Sequence, residues 1–256
     1  MKRVILTGNR AVPKRGVHIG AFVPNVCENT FFTDEADNVI GFYLRELPPK
    51  LRHLILVADQ EARSERVPKS MLNRVTRNKD GTYDRINQWS VILGSVSPKP
   101  HLKRPYPARS SVHNTPSTRT LTKAMNRAGV MILQLIQKYA PPLYEQHKHA
   151  ALSNTAEKWR WANLFTGSII NCNASAPLHR DDLNVKNTLN AIVCCRRNAQ
   201  GGHLHIPQYG ATIEQSHLSL IVYPAWRDYH AVTPIKSTFH GGYRNTYIWY
   251  VNRNLK

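Results

Sequence analysis

Acidic residues are scarce in this chain of 256 residues. The chain has 16 Asp and Glu against 35 Lys and Arg, and its formal net charge is +19. Such a surplus of positive charge is typical of proteins that bind a polyanion, above all nucleic acid. A ribosome-like protein or a basic protein of a membrane surface is the alternative. Because the basic residues are scattered rather than confined to one helix, the composition favours nucleic acid held against a broad surface.

Cysteines and long apolar runs are scarce as well. The four cysteines, Cys27, Cys172, Cys194 and Cys195, include no Cys-x-x-Cys pair, so their spacing suits neither a zinc finger nor a disulfide framework. We expect reduced thiols and an intracellular protein, in the cytoplasm of a microbe or phage-infected cell or in a nucleus. No apolar run approaches the roughly 18 residues of a membrane span, and the N-terminus lacks the apolar stretch of a secretion signal. Neither a membrane partner nor secretion is expected.

Short apolar runs separated by turn residues dominate the first part of the chain. The segments VILTG, GAFVPNV, NVIGFYL, LRHLILVA and QWSVILGSV predict strands, and a weak helical period is present between Glu61 and Asn78. Residues 97–117 are rich in Pro, Lys and Arg and too broken for a helix or strand, but their charge suits a loop along a phosphate backbone. Residues 1–115 are therefore predicted to form a β-rich, basic region that packs on the core and contacts nucleic acid.

One long helix follows. Pro116 is typical of a helix start, apolar residues then recur at helical spacing as far as Tyr139, and Pro141 and Pro142 end the pattern. A shorter helix is predicted over residues 143–152. From Trp159 onward, short strands broken by Gly-containing turns indicate a sandwich or barrel.

These patterns together predict an α+β fold. Its core would be a jelly roll, or double-stranded β-helix, supported by helices. Residues 116–256 would form the helical lead-in and the core as one continuous domain, on which residues 1–115 pack.

The final strand segment, RNTYIWYVN, carries an unusual polar row. Arg244, Thr246, Ile248, Tyr250 and Asn252 lie on one face by the period of two. Buried polar groups need partners. A bound carboxylate would be such a partner, because an arginine can hold it with two hydrogen bonds and a hydroxyl can add a third.

Two other stretches carry metal-ligand residues. His179 and Asp181 in PLHRDDLN point to the same side of an extended chain, and His230 lies in YHAVTP. Two histidines and a carboxylate form the facial triad of non-haem Fe(II) oxygenases, which leaves coordination positions open. A co-substrate that chelates iron through a keto acid and offers a distal carboxylate to Arg244 would fill two of them, and 2-oxoglutarate is such a molecule.

The order of His-x-Asp, Gly-Gly, a distal His and an Arg resembles the 2-oxoglutarate/Fe(II) dioxygenase superfamily. HRDDLN and HAVTPIKSTFHGGYRNTYIWY resemble more narrowly its TET/JBP branch, the DNA 5-methylpyrimidine hydroxylases, in which HRDxxN and HAxTP…R recur. The resemblance covers residues 160–254. It implies that His179, Asp181 and His230 are the Fe(II) ligands.

The resemblance also implies residues that hold 2-oxoglutarate. Arg244 would bind its distal carboxylate, with Thr246 at the helper position. Asn171 or Asn173, on the strand before the His-x-Asp stretch, would also touch the co-substrate.

Three further residues would contact the target base. Asn184 matches an asparagine that hydrogen-bonds the base, and Tyr250 matches an aromatic residue that stacks on it. Asn252 stands where animal TET enzymes have a base-contacting histidine, and its amide can both donate and accept, so the base identity stays open.

The function implied by the resemblance is oxidation of the C5-methyl group of 5-methylcytosine in double-stranded, methylated DNA, to 5-hydroxymethylcytosine or further. Iron inside a jelly roll cannot reach a methyl group in the major groove, so the base is expected to be flipped out. Thymine hydroxylation of the JBP type is the nearest alternative. A catalytically inactive DNA-binding relative, or an oxygenase acting on RNA or protein, are the others. We expect a monomer.

Overall fold

The computed structural model describes residues 1–6, 8, 14–71, 76–77, 83–84, 88–237 and 241–256. Within these ranges the helices are α1 (Pro49–Arg63), α2 (Arg119–Tyr139) and α3 (Pro141–Asn154). The strands are β1 (Lys2–Ile5), β2 (Thr30–Thr33), β3 (Val39–Leu44), β4 (Ser70–Met71), β5 (Thr76–Arg77), β6 (Tyr83–Asp84), β7 (Trp89–Val96), β8 (Ala108–Arg109), β9 (Gly167–Cys172), β10 (Asn190–Arg197), β11 (Ala199–Gly201), β12 (Leu204–Ile206), β13 (Ala211–Ile213), β14 (Ser219–Tyr223), β15 (Ala231–Val232), β16 (Ile235–Ser237) and β17 (Tyr243–Tyr250). Of the described helices, none combines the length and apolarity needed to span a membrane.

One large sheet organises the molecule. Its strands lie in the order β1-β2-β3-β14-β10-β17-β9-β7-β4, and β8 pairs with β7. The neighbouring strands are antiparallel except for β1 and β2. Strand β3 pairs with β14, and β7 pairs with β9. The large sheet therefore contains strands from residues 1–115 and strands from residues 116–256, paired with one another.

A smaller layer of strands, β13-β12-β15, packs against one face of the large sheet. The interior between the two layers is apolar. It includes Tyr43, Ile192 and Ile221 from the large sheet and Leu204 and Ile213 from the smaller one. The two layers form the double-stranded β-helix core that the sequence predicts.

The three helices cover the opposite face of the large sheet. The indole Nε1 of Trp249 on β17 donates to the carbonyl of Met125 on α2 at 3.1 Å. Strands β10 and β14, buried on both faces, are apolar along most of their length, as expected for strands between two layers. This helical layer packs against the face of β17 that is opposite to its polar row.

Strand β17 alternates as predicted. Arg244, Thr246, Ile248 and Tyr250 face the cavity of the core. The alternate residues face the helices, where Asp59 of α1 accepts hydrogen bonds from Asn245 Nδ2 (2.9 Å), Tyr247 Oη (2.7 Å) and Tyr243 Oη (3.0 Å). Burial, together with the charge of Asp59, raises the pKa of Tyr243 to about 12.

The strand predicted for LRHLILVA is wrong, because this segment lies within α1. Leu51, Ile55, Ala58 and Ala62 are buried at three- or four-residue spacing, which is the period of a helix packed on one face. A short apolar run does not distinguish the two structures by itself.

The helix predicted between Glu61 and Asn78 is wrong too. Among the described residues of this stretch, only the first three are helical, and the chain then contributes β4 and β5; residues 72–75 and 78 lie outside the described part.

Two smaller strand predictions need adjustment. GAFVPNV contributes only an isolated bridge between Val26 and Ile213, because Pro24 cannot donate to a ladder. VILTG contributes the end of β1, and its Thr7 lies outside the described residues. The long helix begins at Arg119, after a 3₁₀ turn over Pro116–Thr118, and Pro141 opens the next helix instead of a loop.

Candidate metal and co-substrate site

Backbone pairing brings the two histidine stretches together. The amide of His179 donates to the carbonyl of His230 at 2.9 Å, and the amide of His230 donates back at 2.8 Å. This isolated bridge sets the two imidazole rings 4.3 Å apart between their centres. Two residues remote in sequence therefore share one edge of the core.

The carboxylate of Asp181 lies against both rings. Its Oδ1 is 3.6 Å from Nε2 of His179 and 3.9 Å from Nε2 of His230. The three candidate ligand atoms all lie within 4.8 Å of one another. The structure thus brings together the three residues that the resemblance implies as iron ligands.

The other ring nitrogen of each histidine, Nδ1, is hydrogen-bonded to a backbone carbonyl. Nδ1 of His179 lies 2.7 Å from the carbonyl of Pro177, and Nδ1 of His230 lies 3.0 Å from the carbonyl of Asp228. A carbonyl can only accept, so each Nδ1 carries the proton and each Nε2 keeps a lone pair for a metal. Burial lowers the pKa of His230, which favours the neutral form that binds metals. Two imidazole nitrogens and a carboxylate suit Fe(II).

Two asparagines hold the second oxygen of Asp181. Nδ2 of Asn190 donates to Oδ2 at 2.7 Å, and Nδ2 of Asn184 donates to the same oxygen at 3.3 Å. Nδ2 of Asn184 also donates to Oδ1 of Asn190 at 2.8 Å. Asn190 was not predicted from the sequence. It is the one polar residue that opens the apolar run NAIVCC of β10, and this contrast is the signal that would have indicated it.

The candidate ligands line a cavity of about 430 Å³ between the two layers of the core. Its walls come from the large sheet, for example Ile192 and Thr246, and from the smaller layer, for example Leu204 and Val232. Arg244 lines it as well and is 2% exposed. The cavity combines apolar walls with convergent polar and charged groups, which is a combination typical of small-molecule sites.

Arg244 is a buried cation that lacks a carboxylate partner among the described residues. Its Nη1 donates to the carbonyl of Ala174 at 3.3 Å and its Nη2 donates to Oε1 of Gln215. Its buried Nε has no hydrogen-bond partner in the part of the chain that the structure describes. Burial lowers the pKa of this guanidinium. An unpaired buried cation is costly, so the environment of Arg244 fits a bound anion such as the distal carboxylate of 2-oxoglutarate.

Gly202 makes room for Arg244. A Cβ at this position would lie 2.9 Å from Cδ and Nε of Arg244, and the backbone has φ +69°. Both facts require glycine, which explains the second glycine of the Gly-Gly pair in physical terms.

The other expected co-substrate contacts divide into two groups. Thr246 and Asn171 line the cavity, where Oδ1 of Asn171 accepts from the hydroxyl of Ser90 at 2.8 Å. The structure does not bring Asn173 to the cavity. Its backbone is left-handed at φ 52°, and its Oδ1 accepts from the backbone amide of Arg244 at 2.9 Å. Asn173 is thus placed to hold the Arg244 backbone.

The three residues expected at the target base all line the cavity. Asn184 and Asn252 form a backbone bridge with each other, and the backbone nitrogen of Asn252 donates to the hydroxyl of Thr166 at 2.8 Å. Burial, with the charge of Asp181, raises the pKa of Tyr250, so its hydroxyl stays protonated.

Arg15 reaches this cavity from the other end of the chain. The backbone of Gly16 and Val17 pairs with Leu178, and Arg15 then lies at the cavity beside Asp182, with Nη1 2.7 Å from Oδ2. Nothing in the sequence singles out Arg15 among the many exposed arginines. Its position became evident only from the fold.

Comparisons with known proteins identify the family. The family model Tet_JBP, the oxygenase domain of the 2OGFeDO superfamily, matches residues 92–253, which is more than half of the chain. No curated protein matches the chain.

Among solved structures, the chain is similar to NgTET1 in complex with 5mC DNA, with 14% identity, a TM-score of 0.62 and coverage of 92% of this chain and 81% of that one. It is also similar to an oxidoreductase of the 2OG-Fe(II) oxygenase family from Burkholderia pseudomallei, with 13% identity, a TM-score of 0.45 and coverage of 83% and 88%.

A further similar structure is OsALKBH1, with 11% identity, a TM-score of 0.43 and coverage of 83% of this chain and 96% of that one. The NgTET1 likeness agrees with the double-stranded β-helix described above. This chain belongs to the TET/JBP family of the 2-oxoglutarate/Fe(II) dioxygenase superfamily, whose cofactors are Fe(II) and 2-oxoglutarate.

Proposed function

We propose that this oxygenase oxidises the C5-methyl group of 5-methylcytosine in double-stranded DNA to the hydroxymethyl group. The observation that carries the proposal is the convergence, in one cavity, of the His179–Asp181–His230 group, the unpaired cation Arg244 and the polar end of β17. The net charge of +19 supports a DNA substrate.

The residues have separate tasks in this proposal. His179, Asp181 and His230 would hold Fe(II) through Nε2, Oδ1 and Nε2. Arg244 would bind the distal carboxylate of 2-oxoglutarate through its free Nε and the fork of its guanidinium, beside Thr246. When bound, the iron would supply the oxidising chemistry, in which one oxygen atom of O₂ enters the succinate formed as 2-oxoglutarate loses carbon dioxide, and the other enters the methyl C–H bond to give the hydroxymethyl group.

The base has to leave the duplex to reach this cavity, because the candidate ligands lie between two layers of sheet. Tyr250 offers a ring on which a flipped base can stack, and stacking on an aromatic residue is worth about 1–3 kcal/mol. The structural similarity to a TET protein crystallised with 5mC DNA supports this substrate.

The hydrogen bonds of Asn184 favour cytosine over thymine. Its Nδ2 points at two acceptors, Oδ2 of Asp181 and Oδ1 of Asn190, so both of its N–H donors are engaged. The atom that remains for a ligand is Oδ1, which can only accept. Cytosine presents a donating amino group at C4, whereas thymine presents an acceptor there. A contact between Oδ1 of Asn184 and the group at C4 of the base would therefore favour 5-methylcytosine.

The test is a product assay on matched duplexes. Duplex DNA with 5-methylcytosine, and the same sequence with cytosine in its place, is incubated with protein, Fe(II), 2-oxoglutarate and air. The nucleosides are then analysed by mass spectrometry. We expect 5-hydroxymethylcytosine from the methylated duplex, none from His179→Ala, and undiminished product from the control His149→Ala, whose histidine is exposed on α3.

Three results would contradict the proposal. Hydroxymethyluracil derived from thymine, without oxidised cytosine, would establish the thymine alternative. Oxidised product only from RNA or peptide would change the substrate class. Folded protein that binds methylated DNA and metal but forms no oxidised nucleoside would indicate an inactive relative.

A further inference from the structure

An exposed leucine stands at the mouth of the cavity. Leu183 is 63% exposed and lines the same cavity as the candidate iron ligands. Of the large apolar side chains that are exposed in the described ranges, it is the one that lines this cavity. A single exposed leucine is ordinary on a protein surface. What distinguishes Leu183 is its place at the cavity that holds the candidate iron ligands.

The backbone holds Leu183 in a fixed place relative to the site. The carbonyl of Leu183 accepts from the amide of Arg253, beyond the end of β17, at 2.8 Å. The next residue, Asn184, donates its amide to the carbonyl of Asp181 at 2.9 Å and forms the bridge with Asn252. The turn that carries Leu183 is therefore tied on one side to a candidate iron ligand and on the other to the strand that carries Tyr250.

Two arginines border the leucine. Arg15 and Arg180 line the cavity mouth, and both contact the carboxylate of Asp182, at 2.7 Å and 3.4 Å. Because two cations flank one anion, the rim keeps a positive charge next to the apolar tip. Arg253, whose backbone amide donates to the carbonyl of Leu183, is exposed and adds a third cation near this turn. An apolar side chain between cations suits a groove that has phosphates along its edges and stacked bases inside.

We propose that Leu183 enters the DNA duplex and fills the space that the flipped base leaves, while Arg15 and Arg180 contact the flanking phosphates. The proposal rests on the proposed function, since it requires a flipped base. Proteins that distort DNA often insert Leu, Ile, Met or Phe between bases, because an apolar group stabilises the opened stack that water would otherwise enter. Leu183 would then be a positioning residue, which acts on the DNA and not on the reacting atoms.

Base flipping can be measured without iron or turnover. The probe is a duplex with 2-aminopurine beside a 5-methylcytosine, because the fluorescence of 2-aminopurine rises when its stacking is lost. Saturating iron-free protein should raise the fluorescence. Leu183→Ala and Leu183→Gln should lower the flipping equilibrium constant about tenfold. Leu183→Met, which keeps a large apolar side chain, should have an equilibrium constant close to that of the unsubstituted protein.

A second exposed leucine and a mismatched duplex show whether the effect is specific to Leu183 and to the cost of flipping. Leu152→Ala removes another exposed leucine, 43% exposed on α3, and should leave the fluorescence rise unchanged. A mispaired target base costs less to flip, so the difference between Leu183→Ala and the unsubstituted protein should shrink on a mismatched duplex.

The outcomes separate this proposal from the proposed function. If Leu183→Ala and Leu183→Gln raise the fluorescence as much as the unsubstituted protein does, the leucine has no such role, and the proposed function stands. If the unsubstituted protein binds the methylated duplex without any rise, the flipped base itself is refuted, and the role of Leu183 with it.

Discussion

Asn190 donates a hydrogen bond of 2.7 Å from its Nδ2 to Oδ2 of Asp181. This contact turns the other oxygen of the carboxylate, Oδ1, toward the two imidazoles. A carboxylate free to rotate would lose part of its ligand geometry, and groups that orient metal ligands commonly change metal affinity by about 10–100-fold.

We therefore expect Asn190→Ala to weaken metal binding by about 10–100-fold. Titration of the apo-protein with Co²⁺, followed by its visible absorption, measures this directly and needs no turnover. Gln200→Ala, at an exposed position of β11, is the control. An unchanged affinity in Asn190→Ala would mean that Asn184 alone orients the carboxylate.

The co-substrate should depend on the shape of the Arg244 side chain as well as on its charge. Lysine presents a point charge and lacks the planar fork that holds a carboxylate through two bonds. We expect Arg244→Lys to weaken 2-oxoglutarate binding at least about tenfold, which corresponds to one lost charge-assisted hydrogen bond. Calorimetry with Mn²⁺-loaded protein measures the affinity. If 2-oxoglutarate binds Arg244→Lys as it binds the unsubstituted protein, its distal carboxylate lies elsewhere.

The sequence predicted the site better than it predicted the first part of the fold. The alternation of β17 and the His-x-Asp spacing are local patterns, so His179, Asp181 and Arg244 could be identified from them. Asn190 and Arg15 reach the site through pairings between remote segments, which local patterns do not report.

The error at LRHLILVA has a similar cause. Its apolar residues fit a strand or a helix equally, and packing against α2 decides for the helix. The role of Asp59 in this helix is not evident from the sequence for the same reason, since three of its partners lie on β17.

Asp59 should be important for stability. Its carboxylate is buried and accepts from two tyrosines and an asparagine of β17 and from Arg63. We expect Asp59→Ala to lower the free energy of unfolding by about 3 kcal/mol or more, because it leaves several buried donors without an acceptor. Urea unfolding followed by circular dichroism measures the change.

Asp37 provides the matched comparison for Asp59. Its ion pair with Arg3 is solvent-exposed, and its backbone is left-handed at φ 59°, which asparagine tolerates, so Asp37→Asn should cost less than about 1 kcal/mol. Equal effects of the two substitutions would show that the Asp59 network contributes little.

Substitution of Gly129 tests how closely α2 packs against β17. In a helix interior, alanine is favoured over glycine by about 1 kcal/mol. Here the new Cβ would lie 2.6 Å from Cβ of Ala162 and 2.8 Å from Nε1 of Trp249. Overpacking of this kind costs about 1–3 kcal/mol, and it would disturb the Trp249 hydrogen bond. We expect Gly129→Ala to lower the melting temperature, whereas Gly20→Ala, with open space around its Cβ, should leave it nearly unchanged. A stabilised Gly129→Ala would mean that the helix can move away from the sheet.

His147 makes stability depend on pH. It is fully buried on α3, its Nδ1 accepts from the amide of Leu189 at 3.0 Å, and burial lowers its pKa from 6.5 to about 4. Between these two values the unfolded chain binds a proton that the folded protein does not, so acid favours unfolding. The stabilisation is complete above the unfolded pKa and is lost as the pH falls toward 4.

One such group changes the free energy of unfolding by about 1 kcal/mol per pH unit across this window. His203, whose pKa burial also lowers to about 4, acts in the same direction, so the effect of His147 has to be isolated by substitution. His147→Gln should make the slope between pH 6 and 4 shallower by about 1 kcal/mol per unit. His149→Gln, exposed on the same helix, should leave the slope as it is. Urea titrations at several pH values measure it, and equal slopes for His147→Gln and the unsubstituted protein would mean that His147 binds its proton as readily in the folded protein as in the unfolded chain.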